Sequence, residues 1–73
     1  MCEVKANQVY GDATVVSVRK ANSREQRDMA LQFEAAHRAG YDSQGRVVLY
    51  REDGSNLVEA MTLGGFIRQY GVE

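Results

Sequence analysis

His37 and Cys2 are the residues of this chain best suited to acid–base or covalent chemistry. A thiol nucleophile needs an adjacent base and a shaped cleft, and nothing in the sequence brings these two side chains together. His37 lies on the apolar stripe of a predicted helix, near its C-terminus, where the dipole favours the cationic imidazole. We therefore expect a half-buried structural histidine, a Cys2 that is a strand residue or part of a frayed terminus, and a protein that is not an enzyme.

Motifs that bind metals or phosphate are absent from the sequence. No pair of histidines or cysteines has the spacing of zinc ligands, and the acids between Asp42 and Glu52 do not follow the calcium-loop pattern. Gly64-Gly65 has no lysine partner at phosphate-loop spacing and is better explained as a flexible or close-packed helix start. We expect no cofactor and no metal.

Basic residues concentrate in one segment, because four of the nine fall within positions 19–27. They are Arg19, Lys20, Arg24 and Arg27. This cluster has three interpretations: a solvated face with ion pairs at i,i+4 spacing, a protein-contact face, or a phosphate-contacting face. Few aromatic residues accompany it, so a platform for stacking bases is not expected.

Leu31 falls on the arginine-rich side of the predicted helix. An apolar centre with an arginine rim is typical of protein interfaces, although single exposed leucines are common. A second candidate surface is the sheet, because Val4, Val15 and Tyr50 need not all fit under two helices and an exposed edge can accept a partner strand. The predicted partner-binding residues are Val15, Arg19, Arg24, Arg27, Leu31 and Arg38.

The helix that carries this face is predicted over Arg24–Ala39. Ser23 and Gln26 have the spacing of a capping box, and Gly40 supplies the left-handed stop. The apolar stripe of this helix consists of Met29, Ala30, Phe33, Ala36 and His37.

Two strands are predicted before the helix. Cys2, Val4 and Ala6 alternate with polar residues, and Thr14–Arg19 is rich in β-branched residues, with Val16 and Val18 on one face. These strands are expected to pair as a hairpin across Tyr10–Ala13.

A second hairpin is predicted after the helix and a turn at Asp42–Gly45. Its strands are Arg46–Arg51 and Leu57–Met61, joined through a type I′ turn at Asp53-Gly54.

A short final helix is predicted after Thr62, which caps it, and Gly71 ends it. Its apolar stripe is Leu63, Phe66, Ile67 and Tyr70. The expected fold is thus α+β in β-β-α-β-β-α order, with one long and one short helix packed on one face of a small antiparallel sheet. The other face is expected to be polar or a docking surface.

The composition is that of one small globular domain spanning 1–73, with 44% hydrophobic and 26% charged residues. The formal charge of −1 argues against a histone-like DNA coat and against an acidic mimic of nucleic acid. No apolar run is long enough for a membrane span, and no signal peptide is visible. A single cysteine cannot form an internal disulfide, which favours a reducing compartment.

As a whole, the chain resembles small bacteriophage proteins that bind host bacterial RNA polymerase and shut off host transcription. The stretches VVSVRKANSREQRD and EAMTLGGFIRQYGV, together with the length, carry this resemblance. It implies a non-enzymatic regulator that docks on the large polymerase subunits, interferes with promoter opening and, in some members, allows read-through of terminators.

We accordingly expect a monomer in the host cytoplasm that inhibits transcription initiation by binding a protein, without sequence-specific nucleic-acid recognition or membrane association. Two alternatives stay open. One is an inhibitor of a bacterial defence complex, and the other is a small nucleic-acid-binding regulator that uses the Arg19–Arg27 cluster.

Overall fold

Four antiparallel strands form one sheet, and their order across the sheet is their order along the chain. The computed structural model describes residues 4–40 and 45–71. The strands are β1 (Val9–Tyr10), β2 (Ala13–Lys20), β3 (Arg46–Glu52) and β4 (Glu59–Thr62), and the helices are α1 (Ser23–Asp28), α2 (Ala30–Arg38) and α3 (Leu63–Tyr70). The predicted α+β class with a small antiparallel sheet is confirmed. The turn predicted at Asp42–Gly45 lies, apart from Gly45, outside the described residues.

The first hairpin turns where it was expected, but its first strand is elsewhere. Tyr10 pairs with Ala13 across Gly11-Asp12. The strand predicted over Cys2–Ala6 is wrong for Val4–Ala6, and Cys2 lies outside the described residues. Asn7 has a φ of 64°, which breaks the extended chain before β1.

A β-bulge in β2 decides which of its side chains reach the core. The register with β3 shifts between Val15 and Ser17, so that the alternation of faces is interrupted at Val16. Val15 is buried and Val18 packs against the core, whereas Val16 is 38% exposed. The prediction that Val16 and Val18 share a face is therefore wrong.

The core lies between α3 and one face of the sheet. Val48 and Tyr50 of β3 point to this face, and Phe66 of α3 is fully buried against it. The buried core residues are Val4, Ala13, Val15, Val48, Tyr50, Leu63, Phe66 and Ile67. α2 packs mainly against α3 and β4.

Four aromatic rings meet at Phe66. Tyr10 and Tyr50 lie 5.8 and 5.5 Å from it, and Tyr70 lies 4.7 Å from it, measured between ring centroids. Edge-on and tilted geometries of this kind are favourable for aromatic pairs. Burial, together with the nearby Tyr70, raises the pKa of the Tyr50 hydroxyl to about 12.

The predicted long helix is two helices separated at Met29, whose φ and ψ are −112° and 19°. Neither glycine nor proline forces this break. α1 is tied to the end of β2, whereas α2 packs on α3, and the break lies between these two anchored segments. Gly40 ends α2 with a positive φ of 78°, as predicted.

The predicted cap and apolar stripe of the long helix are corrected in detail. The N-cap is Asn22 rather than Ser23, and its capping-box partner is Glu25 rather than Gln26. On the stripe, Ala36 is buried and Met29 and Phe33 are half-buried, but Ala30 and His37 are exposed. The expectation of a half-buried His37 is therefore wrong, because α2 buries Ala36 while His37, in its last turn, is exposed to solvent.

The final helix follows the prediction closely. The Thr62 side chain accepts a hydrogen bond from the Gly65 N–H at 3.1 Å, and Gly71 ends the helix with a φ of 64°. Leu63, Phe66 and Ile67 are buried.

The turn after β3 differs from the predicted type. Gly54 has a φ of 79°, but Asp53 does not have a positive φ, which a type I′ turn requires. The Ser55 N–H donates to the Glu52 carbonyl at 2.9 Å. The returning strand, β4, begins at Glu59 rather than Leu57.

Candidate interaction surface at the break between the first two helices

Leu31 stands out of the molecule beside the helix break. Its residue surface is 82% exposed, the largest value among the exposed large hydrophobic residues of the described chain. It lies at the start of α2, so its backbone is held by the helix while the side chain faces solvent. The sequence prediction that it is on the polar side is confirmed.

A surface hollow of about 360 Å³ adjoins this leucine. Its walls are six consecutive residues that span the end of α1 and the start of α2: Arg27, Asp28, Met29, Ala30, Leu31 and Gln32. The hollow spans the interruption at Met29, where α1 ends and α2 begins.

Arg24 and Arg38 do not line this hollow but lie seven residues before and after Leu31, and each has a carboxylate partner one helical turn away. Arg24 lies 3.9 Å from Asp28, and Arg38 is bonded to Glu34. The side chains of both arginines are strongly exposed, at 86% and 75%. Exposed pairs of this spacing contribute only a few tenths of a kcal/mol. A partner carboxylate can therefore replace them at little cost.

Arg27 differs from Arg24 and Arg38 in its lack of a carboxylate partner among the described residues. Within the described part of the chain, no carboxylate lies within ion-pair distance of it, although it lines the hollow with Leu31. We call Arg24, Arg27, Leu31 and Arg38 the Leu31 surface. It combines one exposed apolar side chain with three arginines of α1 and α2, whose guanidinium groups can bind bidentately to carboxylates.

Arg19 belongs to a different arrangement. Its guanidinium donates to both carboxylate oxygens of Glu25, at 2.7 and 2.8 Å. The same carboxylate accepts from the Asn22 N–H at 3.1 Å, while the Glu25 N–H donates to the Asn22 side chain at 2.8 Å. Arg19 is thus committed to holding α1 at the end of β2.

The charges in this arrangement shift two pKa values. The hydrogen bond from Arg19, followed by that from the Asn22 N–H, lowers the pKa of the Glu25 carboxyl to about 2. The hydrogen bond to Glu25 raises the pKa of Arg19. The pair is charged across the physiological range.

Val15 cannot contact a partner in this fold. It is 1% exposed and belongs to the core under α3, so the prediction that it binds a partner is wrong. The physical reason is the regular alternation before the bulge, which places Val15 on the same side of β2 as buried Ala13 and opposite Tyr50 of the core.

Residues for chemistry do not converge in the described structure. In residues 4–40 and 45–71, no group of three or more histidine, cysteine, aspartate or glutamate side chains is placed to hold a metal ion. His37 is exposed on α2, and Cys2 lies outside the described residues. No helix among the described residues is long and apolar enough to cross a membrane.

Comparison with protein-family models, with curated proteins and with solved structures finds no match for this chain. Its function is therefore inferred from its own residues.

Proposed function

We propose that this chain is a non-enzymatic protein-binding module that docks through the Leu31 surface on host bacterial RNA polymerase and inhibits transcription initiation. The observation that carries the proposal is the 82% exposure of Leu31 beside Arg27 in one hollow. Removing such a side chain from water on binding stabilises the complex by about 1.5–3 kcal/mol.

The size of the molecule suits this role. A standard interface covers about 800 Å² of each partner. That is roughly one sixth of the 5006 Å² surface of the described protein. The Leu31 surface can therefore lie inside one interface and leave the core undisturbed.

The charge of the Leu31 surface favours an acidic protein surface as its partner. Arg27 brings a charge that the described residues do not neutralise, and Arg24 and Arg38 can exchange their weak pairs. The resemblance to phage inhibitors of host polymerase supports the large polymerase subunits as that partner. The proposal includes a monomeric module in the host cytoplasm, with antitermination as an additional activity.

A nucleic-acid target for the Arg19–Arg27 cluster is the weaker alternative. Arg19 is bound to Glu25 and Arg24 is paired with Asp28, so half of the cluster's four cations face a carboxylate within the chain. This arrangement reduces the positive field available to phosphates. An inhibitor of a defence complex would use the same Leu31 surface on a different protein.

The test is binding of the purified chain to bacterial RNA polymerase, as core enzyme and as holoenzyme with its sigma factor. Leu31→Asp and Arg27→Glu are each expected to weaken binding more than about tenfold, the loss typical of an interface hot spot. The same variants should relieve inhibition of transcription from a sigma-dependent promoter in vitro.

Matched controls change the same residue types elsewhere. Leu57→Asp alters a leucine that is 67% exposed in the loop before β4, and Arg68→Glu reverses a charge on the exposed side of α3. Both should bind like the unmodified chain. Absence of polymerase binding, or binding that a folded Leu31→Asp variant retains in full, contradicts the proposal. Salt-sensitive binding to bare DNA instead would favour the nucleic-acid alternative.

A further inference from the structure

The face of the sheet opposite α3 is uncovered over most of its area. Leu49 shows this best, since β3 lies between β2 and β4 and its side chains can reach solvent only through a face. Its neighbour Val48, on the core side, is 0% exposed, whereas Leu49 is only half-buried. Part of the Leu49 side chain is therefore accessible to a partner on this face.

The strand register identifies the other residues on this face. Ser17 and Ala60 are the cross-strand partners of Leu49, and Val9 is paired with Thr14. Directly paired residues in antiparallel strands share a face. We call Val9, Thr14, Ser17, Leu49, Arg51 and Ala60 the open sheet face.

The open sheet face is apolar at several exposed positions. Val9 is 66% exposed and Ala60 is also exposed, while Val16 at the bulge and Val58 just before β4 are 38% and 41% exposed. Only the end of this side of the sheet, at the Val47–Thr62 pair, is fully buried.

The dimensions of the molecule agree with an uncovered face. Its shortest extent is 16 Å. A sheet with one helix layer fits this thickness, whereas helix layers on both faces require about 20 Å between helix axes alone.

The positive charge of Arg51 on the open sheet face favours a partner that carries carboxylates. Arg51 is exposed and, among the described residues, has no ion-pair partner. No carboxylate residue is placed on this face by the described register, because Glu52 and Glu59 pair with residues of the core face. A second copy packed on it face to face would therefore bring no carboxylate of its own open sheet face to Arg51.

Nucleic acid is also a poor occupant. The aromatic residues Tyr10 and Tyr50 point to the core face, where they contact Phe66. The register therefore gives the open sheet face no aromatic ring on which a base could stack.

We propose that the open sheet face is a second docking surface, for an amphipathic helix of a partner protein whose apolar stripe is flanked by carboxylates. The stripe covers Leu49 and Ala60, and a carboxylate meets Arg51. The surface is distinct from the Leu31 surface, so the module can hold two segments of its partner at once. Its test needs no polymerase and is independent of the proposed function.

The experiment is a titration of the isotope-labelled chain, followed by NMR, with two designed helical peptides of about 18 residues, long enough to be partly helical in isolation. Both carry the same leucine stripe, flanked by glutamates in one peptide and by lysines in the other. The glutamate peptide should shift the amide signals of Ser17, Leu49 and Ala60, leave that of Leu31 unchanged, and bind more tightly than the lysine peptide.

Two variants make the outcome decisive. Arg51→Glu should weaken binding of the glutamate peptide roughly fivefold and reverse the preference between the peptides. Leu49→Asp should abolish binding, and Arg68→Glu serves as the matched control that leaves it unchanged.

Four results would overturn the proposal. They are equal binding of the two peptides, shifts centred on other residues, no binding at millimolar peptide, and a dimer of the unmodified chain that Leu49→Asp dissociates. The last result would assign the face to a second copy.

Discussion

Arg19, at the end of β2, and Glu25, in the first turn of α1, are joined by two charge-assisted hydrogen bonds of 2.7 and 2.8 Å. The carboxylate also closes the capping box with Asn22. One side chain therefore both starts a helix and fixes it to the sheet. Because α1 contributes no buried residue, these polar contacts are a main reason that it keeps its place.

The Glu25 carboxylate is expected to make stability sensitive to acid. Its pKa is lowered to about 2 in the folded protein, from an ordinary value of 4.5. Such a group stabilises the fold fully above pH 4.5, and this contribution is lost as the pH falls toward 2. The free energy of unfolding should decrease as the pH is lowered from 5 to 2, an interval that spans the two pKa values. Glu25→Gln should make this decrease smaller.

The control for this prediction is Glu34→Gln, which removes the exposed carboxylate bonded to Arg38. Its pH profile should follow that of the unmodified chain more closely than Glu25→Gln does. Direct observation of the Glu25 side-chain carboxyl by NMR should give a titration midpoint well below 4.5. A midpoint at 4.5 would contradict the two-point bond.

Because Asn22 is the N-cap of α1, substitutions of Asn22 and Ser23 are expected to differ in their effect on stability. Asn22→Ala should destabilise the protein by about 1 kcal/mol, since the Asn22 side chain accepts from the Glu25 N–H. Ser23→Ala, within the first turn of α1, should change stability by less than about 0.5 kcal/mol. Urea denaturation of both variants measures the difference in their free energies of unfolding. A larger loss of stability for Ser23→Ala would mean that Ser23, as the sequence predicts, is the N-cap.

The sequence could not choose between these caps, because two capping boxes overlap in it. Asn22 precedes Glu25 by three residues, and Ser23 precedes Gln26 by three. Only the position of Arg19 at the strand end selects Glu25. The contact between Arg19 and Glu25 depends on the tertiary structure, which the local sequence does not specify. The N-cap is therefore Asn22, one residue before the predicted Ser23.

Local sequence signals are sufficient to predict a helix where they all indicate the same start and end. The third helix was predicted with its cap at Thr62 and its end at Gly71, since a capping hydroxyl, an apolar stripe and a left-handed glycine all agree there. The break at Met29 carries no such signal, and the hollow beside Leu31 spans that break. The exposed leucine and its arginines could therefore be predicted, but not the concavity.

The difference in burial between Val15 and Val16 is expected to separate the effects of two adjacent substitutions in β2. Val15→Ala should destabilise the protein by about 2 kcal/mol, because it removes buried methyl groups from a site that is 1% exposed. Val16→Ala, at a side chain that is 38% exposed, should cost less than about 0.5 kcal/mol. Thermal or chemical denaturation provides the comparison. Equal costs would contradict the burial of Val15 in the core and the exposure of Val16.

Gly65 is expected to be required by the packing of α3 rather than by its backbone angles. A methyl group there would lie 2.9 Å from the Thr62 hydroxyl oxygen and 3.3 Å from Met61. The hydroxyl is the N-cap acceptor and belongs to a fully buried residue, so it cannot move aside without losing the cap.

Gly65→Ala should therefore destabilise the protein by about 1 kcal/mol, although alanine improves intrinsic helix propensity by a similar amount. The control is Gln69→Ala on the exposed side of the same helix, which should be neutral within about 0.5 kcal/mol. Denaturation midpoints at equal protein concentration compare the two. A Gly65→Ala variant that is more stable than the unmodified chain would show that Thr62 and Met61 move to accommodate the methyl group. Helix propensity, rather than close packing, would then determine the effect of this substitution on stability.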